Sequence, residues 1–130
     1  MTALAVLAAT IVTVAVIRDV FVPAARAVEV WGGFEITGWL AIATAPIHWA
    51  LFAIAAWAFW NDRRWILPWA AAYVFYAAVS HVVWSEVSPH GRGWRIGVLQ
   101  ALALSAFALV LLRARRSTTS RAPGTAGMPR

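Results

Sequence analysis

Four long apolar runs constrain this chain more than any other feature. They cover residues 2–22, 39–60, 65–84 and 96–112. A helix needs roughly 20 apolar residues to cross about 30 Å of hydrocarbon, and a chain of 130 residues is too short to bury four such runs in a water-soluble core. We therefore predict an all-α fold: an integral membrane bundle of four transmembrane helices, forming a single domain over residues 1–116.

The composition excludes several kinds of chemistry. Hydrophobic residues make up 62% of the chain and charged residues 12%, which is unlike a typical soluble domain. Cysteine and lysine are absent, so thiolate metal sites, thiol redox chemistry and lysine Schiff bases are excluded. The net charge of +6 comes from arginines at the ends of apolar runs. We therefore predict contact with a lipid bilayer and no binding of nucleic acid.

Aromatic and basic residues predict how the spans lie in the membrane. Indole rings prefer the membrane interface, and five of the nine tryptophans bound the apolar runs: Trp39, Trp60, Trp65, Trp84 and Trp94. Seven arginines fall on the side of both termini, namely Arg63, Arg64, Arg113, Arg115, Arg116, Arg121 and Arg130; four fall on the other side, namely Arg18, Arg26, Arg92 and Arg95. This asymmetry predicts a cell-membrane protein with cytoplasmic N and C termini.

The segments outside the spans carry weaker signals. The first run also permits a cleaved secretory signal, since residues 25–27 resemble a small-residue cleavage site, although no basic residue precedes the apolar stretch. We predict a short amphipathic outer segment around residues 24–35. Residues 117–130 are rich in Ser, Thr, Pro and Gly and predict a disordered cytoplasmic tail.

Polar residues within the spans predict an outward-facing pocket. At about 100° per residue, His48 shares a helical stripe with Thr44 and Phe52, whereas the tryptophans of that span, Trp39, Trp49, Trp57 and Trp60, lie roughly opposite, toward lipid or a partner. An ionisable residue at mid-membrane is by default a candidate functional group. The candidate catalytic residues are His48, Tyr73, Tyr76 and Asp19. The candidate ligand-binding residues are His81, Gln100, Arg18, Trp84 and Glu86.

This pocket predicts an apolar small-molecule ligand such as an isoprenoid, a sterol or a quinone. If the protein is an enzyme, His48 is the acid or base, a tyrosine donates to a developing oxyanion, and Asp19 or Glu86 is the second carboxylate. Isomerisation or cyclisation fits these groups. In a purely structural alternative, His48 and the aromatic stripe of the third span only pack helices together. In a functional alternative, the chain is a non-catalytic accessory or scaffold subunit of a membrane complex. The partner states that the sequence permits are a homo-oligomer or a larger membrane complex.

No cofactor and no metal are predicted. Bis-histidine haem ligation by His48 and His81 would require similar depths, but these residues lie nine and three positions from the outer ends of their spans, a difference of about 9 Å. Zinc held by His81, Glu86 and His90 would rest on a turn-rich loop with no familiar ligand spacing. A phosphate site at residues 90–95 competes with simple contact between arginines and lipid headgroups.

Residues 32–52, GGFEITGWLAIATAPIHWALF, resemble the second-helix region of DoxX-like small membrane proteins. Gly32, Glu35 and Gly38 match the glycine, glutamate and glycine that often precede the apolar helix in that family. The resemblance covers about a sixth of the chain. It implies a four-helix bundle of the kind often associated with oxidoreductase systems, and it supplies no catalytic residue. By helical count, Glu35 falls on the tryptophan face, away from His48.

Overall fold

Four long helices and one short hairpin make up the described fold. The computed structural model describes residues 1–22, 24 and 27–119. Its elements are α1 Thr2–Phe21, β1 Val28–Trp31, β2 Phe34–Thr37, α2 Trp39–Trp60, α3 Ile66–Val87 and α4 Trp94–Thr119. All four helices are long and apolar enough to cross a membrane, which confirms the predicted helical spans and is typical of a membrane protein.

The ends of the chain differ in part from the predicted boundaries. Helix α4 continues to Thr119, past the predicted end of the fourth span at residue 112 and into the predicted tail. The rest of that tail, residues 120–130, lies outside the described residues, as do residues 25 and 26 of the possible cleavage motif.

The outer segment predicted for residues 24–35 is a β-hairpin over Val28–Thr37, which adds a two-stranded sheet to the predicted all-α fold. Val28 pairs with Thr37, and Trp31 pairs with Phe34 across the turn. The turn is Gly32–Gly33, where both residues have positive φ, +60° and +91°. Glycine adopts this conformation without steric cost, and two such residues form the tight turns that suit the twist of antiparallel strands.

The helices pack as two close pairs, α1 with α2 and α3 with α4, whereas α2 and α3 meet more loosely. Small residues allow these close approaches. Ala41, Ala58 and Ala78 are fully buried or nearly so, and a Cβ placed on Gly97 of α4 would lie 2.8 Å from Cβ of Ser85 on α3. Small side chains let the backbones of apolar helices approach closely where no hydrophobic force drives them together.

The two ends of this helical bundle differ in character. At one end, Ala5 of α1, Phe59 of α2, Leu67 of α3 and Leu111 of α4 belong to a single apolar core. The Met1 amino group lies 3.4 Å from Asp62 in the loop between α2 and α3. We call this the termini end, because α1 begins there and α4 ends there. The opposite end, where the hairpin covers the helices, is the hairpin end.

Candidate functional site

A cavity of about 360 Å³ opens at the hairpin end between α1, α2, α3 and the hairpin. We call it the hairpin cavity. Its lining includes seven of the nine residues predicted for the site: Arg18, Asp19, His48, Tyr73, Tyr76, His81 and Trp84. Residues from three helices therefore meet in one place, as their positions along the helices predicted. Their functional roles stay predictions.

The central contact of the cavity joins His48 of α2 to Glu29 of β1. Nδ1 of His48 lies 3.0 Å from Oε2 of Glu29, and Glu29 is only 7% exposed. When Glu29 is ionised it can only accept, so Nδ1–H is then the donor, and in a neutral imidazole this leaves Nε2 as the acceptor. The Trp31 ring stacks on the imidazole with centroids 4.3 Å apart and an interplanar angle of 16°. The hairpin thus fixes both the tautomer and the plane of His48.

Asp19 anchors a second polar contact network beside this pair. It is 1% exposed, and both of its oxygens are engaged. Arg18 donates from Nε to Oδ1 at 2.7 Å, and the indole N–H of Trp49 donates to Oδ2 at 3.0 Å. Arg18 also lies 3.7 Å from Glu29. Two buried carboxylates therefore share one guanidinium, and the pairing offsets part of the cost of burying their charges.

Two tyrosines of α3 form the opposite wall. Tyr73 meets Phe52 of α2 edge to face, with centroids 5.5 Å apart. The Gly32 backbone N–H donates to the Tyr76 hydroxyl oxygen at 2.6 Å, so the Tyr76 proton remains available to another acceptor. Ser80 also lines the cavity, and its buried hydroxyl has no hydrogen-bond partner among the described residues. This wall therefore adds the Tyr76 hydroxyl to the cavity that His48 also lines.

Glu35 fastens the second strand of the hairpin to the end of α3. Its Oε1 accepts from the Trp84 indole N–H at 2.9 Å and from the Ser88 hydroxyl at 2.5 Å, and Nδ1 of His90 lies 3.3 Å away. The hydrogen bond from Ser88, and to a smaller extent the one from Trp84, holds the pKa of Glu35 below its ordinary value. The exposed ring of His81 meets the Trp84 ring edge to face, with centroids 6.5 Å apart. Because Trp84 also lines the cavity, it connects the cavity to the hydrogen bonds around Glu35.

Two predicted site residues lie outside the cavity lining. Gln100 is exposed on α4. Glu86 is also exposed, and its Oε2 accepts a hydrogen bond from the Trp94 backbone N–H at 3.0 Å, where a carboxylate stabilises the first turn of α4. The structure thus brings neither residue to the predicted pocket.

Three important contacts were missed from the sequence. Glu29 and Trp31 lie on β1, and their positions follow from the alternation VEVW–GG–FEIT, which is a hairpin signal when two strand-like runs flank a Gly-Gly pair. Trp49 was predicted to face lipid or a partner, but it is half-buried and bonded to Asp19. Its indole N–H needs a partner inside the protein, a need that helical phase alone does not reveal.

The polar loop after α3 forms no metal cluster. Within the described part of the chain, no three histidine or carboxylate side chains lie together as ligands would, and His90 contacts Glu35 instead. The predicted zinc alternative with His81, Glu86 and His90 therefore lacks the required geometry.

Comparisons with protein-family models, with curated proteins and with solved structures find no match to this chain. The resemblance of residues 32–52 to DoxX-like proteins therefore stays a prediction. What the described fold defines is a class: a hairpin-capped set of four apolar helices with a polar cavity at one end.

Proposed function

We propose that this chain is a small integral membrane protein that binds a lipid-like molecule in the hairpin cavity. The observation that carries the proposal is the Glu29–His48 pair on the wall of a 360 Å³ cavity. An ionisable pair inside an otherwise apolar helical protein is costly, and such groups mark binding or proton-transfer sites more often than packing. The cavity volume falls in the range of small-molecule sites.

The polar groups of the cavity suit a ligand head that both donates and accepts. Nε2 of His48 is an acceptor when Nδ1–H is bonded to Glu29. The Tyr76 hydroxyl is a donor that no described residue uses. An alcohol, a phenol or a quinol presents one O–H and one oxygen acceptor to this set. Isoprenoid alcohols, sterols and quinols therefore form the proposed ligand class.

The same groups support acid–base catalysis. In the proposed reaction, Nε2 of His48 takes a proton from the bound substrate, Glu29 stabilises the resulting imidazolium, and the Tyr76 hydroxyl donates to an oxyanion that develops on the substrate. The proton then returns from Nε2 to a different atom of the same molecule, so the net change is an isomerisation or a cyclisation. Asp19, with both oxygens engaged, holds Arg18 and Trp49 in place.

In the proposed topology, the termini end is cytoplasmic in the cell membrane and the hairpin cavity opens to the outside. The excess of arginines near the termini and the loop between α2 and α3 supports this orientation. The contact between the Met1 amino group and Asp62 is consistent with a shared side for the N terminus and that loop.

Native mass spectrometry of protein extracted gently from its own membrane tests the proposal. We expect the wild type and a Trp57→Ala control to retain a molecule of lipid-like mass, and His48→Ala to lose it while its circular dichroism stays helical. Equal retention by His48→Ala and the wild type would contradict the proposed site. So would retention of a protein partner with no small molecule.

The second candidate is an accessory subunit of a larger membrane complex. It is favoured by the exposure of Trp39, Trp57 and Trp60, which are 74%, 55% and 69% exposed on α2. Large exposed aromatic surfaces mark contacts with partners as well as with lipid. If Trp57→Ala releases a co-purifying protein and His48→Ala has no effect, this second function replaces the first.

A further inference from the structure

A second cavity continues from the hairpin cavity toward the termini end. It has a volume of about 180 Å³ and is lined by all four helices. We call it the apolar cavity. Apart from the hydroxyl of Tyr73 and the indole nitrogen of Trp69, its lining side chains are entirely hydrocarbon, including Leu4, Phe107 and Leu111. It is therefore chemically unlike the hairpin cavity with its carboxylates, guanidinium and imidazoles.

The two cavities share Phe52 and Tyr73. These rings form the edge-to-face pair with centroids 5.5 Å apart, so side chains rather than backbone mark the boundary. An aromatic side chain can move between staggered rotamers without unfolding its helix. Phe52 and Tyr73 also lie well inside α2 and α3, which places the boundary near the middle of the bundle.

We propose that the apolar cavity holds the hydrocarbon chain of the same ligand whose polar head occupies the hairpin cavity. This inference rests on the proposed function and narrows the ligand class to amphiphiles with a flexible chain, such as isoprenoid alcohols and prenylated quinols. A rigid sterol fits less well, because its ring system would have to pass between Phe52 and Tyr73.

The size and chemistry of the apolar cavity support a hydrocarbon occupant. On its lining, Leu7, Leu51 and Ile54 are 46%, 41% and 49% exposed, so this space is a cleft open at one side rather than a sealed void. Its volume of about 180 Å³ accommodates one short branched segment of a chain. Such a segment gains van der Waals contacts with the hydrocarbon walls.

Photocrosslinking in phosphatidylcholine nanodiscs tests this arrangement on the full chain. The probe is 4-octylphenol with a diazirine in the middle of its alkyl chain, since its phenol matches the donors and acceptors of the hairpin cavity. We expect crosslinks to Leu4, Phe107 or Leu111. An excess of 4-methylphenol, which has the head but no long chain, should remove them, and so should His48→Ala.

A pair of alanine substitutions on α3 separates the cavity from the lipid-facing surface. Ala70 lines the apolar cavity, whereas Ala72 is exposed. We expect Ala70→Leu to reduce crosslinking about tenfold, the size expected when a packed site is overfilled. Ala72→Leu should leave the yield unchanged.

The possible failures point to different conclusions. If 4-methylphenol shifts the His48 imidazole resonances but the octyl probe labels only lipid-facing residues such as Leu99 and Leu102, the chain inference is wrong and the proposed head site stands. Cavity labelling that persists in excess 4-methylphenol would mean that bulk hydrocarbon enters independently, which also overturns the inference. If the resonances do not move and no cavity residue is labelled, both proposals fail.

Discussion

Nδ1 of His48 lies 3.0 Å from Oε2 of Glu29, although one residue belongs to a long helix and the other to a short hairpin strand. The strand supplies a buried carboxylate that the helix itself lacks. A histidine whose Nδ1–H is bonded to a carboxylate is held in one tautomer, with the lone pair on Nε2. The hairpin therefore engages one ring nitrogen of His48 and leaves the other, Nε2, to face a ligand.

Glu29→Gln should weaken ligand binding by roughly 10- to 100-fold. The substitution keeps the side-chain shape but removes the charge, and a hydrogen bond to a charged group is worth about 1.5–3 kcal/mol. Affinity for 4-octylphenol, measured by displacement of a bound probe in nanodiscs, checks this. Glu86→Gln is the matched control, because Glu86 is an exposed carboxylate outside the cavity. Equal losses in the two variants would contradict a specific role for Glu29.

Asp19→Ala should lower the free energy of unfolding by about 1–3 kcal/mol, because the half-buried Trp49 N–H loses its acceptor. Arg18, whose side chain is 49% exposed, can turn to solvent instead. Asp19 is 1% exposed and pairs with Arg18 at 2.6 Å. Asp62→Ala removes an ion pair whose carboxylate side chain is 75% exposed, so a change of less than about 1 kcal/mol is expected. Reversible unfolding in mixed micelles measures both. Similar values for the two aspartates would show that the Asp19 pair is no more stabilising than a surface pair.

Trp49→Phe and Trp57→Phe should differ although both tryptophans lie on α2. Trp49 donates to Asp19, and its loss leaves one buried oxygen of Asp19 without its partner, at a cost of about 1–3 kcal/mol. Trp57 is 55% exposed, and we expect a change within about 0.5 kcal/mol. Thermal unfolding of the two variants in one detergent provides the comparison. A larger effect at Trp57 than at Trp49 would contradict the stabilising role of the Trp49–Asp19 hydrogen bond.

Acid should loosen the hairpin through Glu35. The Ser88 and Trp84 hydrogen bonds hold the pKa of Glu35 below its ordinary value of 4.5. A carboxyl group whose pKa is lower in the folded state contributes stability above its unfolded pKa and loses that contribution as the pH falls through the folded pKa. Hydrogen exchange of residues 28–37, corrected for intrinsic rates, should therefore rise as the pH falls below about 4. Glu35→Gln should abolish this acid step.

Gly33→Ala should disrupt the hairpin more than Gly32→Ala. Both positions have positive φ, so each alanine is strained by about 1–2 kcal/mol. At Gly33, however, the added Cβ would also collide with the Val83 side chain of α3, whereas the space around Gly32 is open. Proteolysis at residues 28–37 should increase in both variants and most in Gly33→Ala. Equal resistance to proteolysis in Gly32→Ala and Gly33→Ala would mean that the hairpin does not rest on α3 at Gly33.

Much of the helical framework could be predicted from hydrophobicity, because apolar length alone decides which segments can cross a bilayer. Helical phase also predicted that His48, Tyr73 and Tyr76 share one cavity, because side chains repeat at a fixed angle along each helix. It failed for Gln100, which lies on α4. Because α4 packs mainly on α3, a similar predicted depth did not bring Gln100 into the cavity.

The partners of the cavity residues were harder to predict because they lie outside the periodic segments. Glu29 contacts a residue 19 positions away, and Glu35 contacts Trp84 across 49 positions. Neither separation follows from a helical repeat. Both depend on the Gly32–Gly33 turn, which sets the strand register and therefore the side of the hairpin that each glutamate occupies.

The hairpin carries part of the chemistry of the cavity on a segment separate from the helices. Its ten residues contribute the carboxylate for His48, the N–H for Tyr76 and the anchor for Trp84, while the four helices provide the apolar surroundings. Substitutions in this one short segment can change the charge and shape of the cavity mouth without altering a residue of the four apolar helices. A library confined to residues 28–37 would therefore vary the proposed ligand site while leaving the helical framework unchanged.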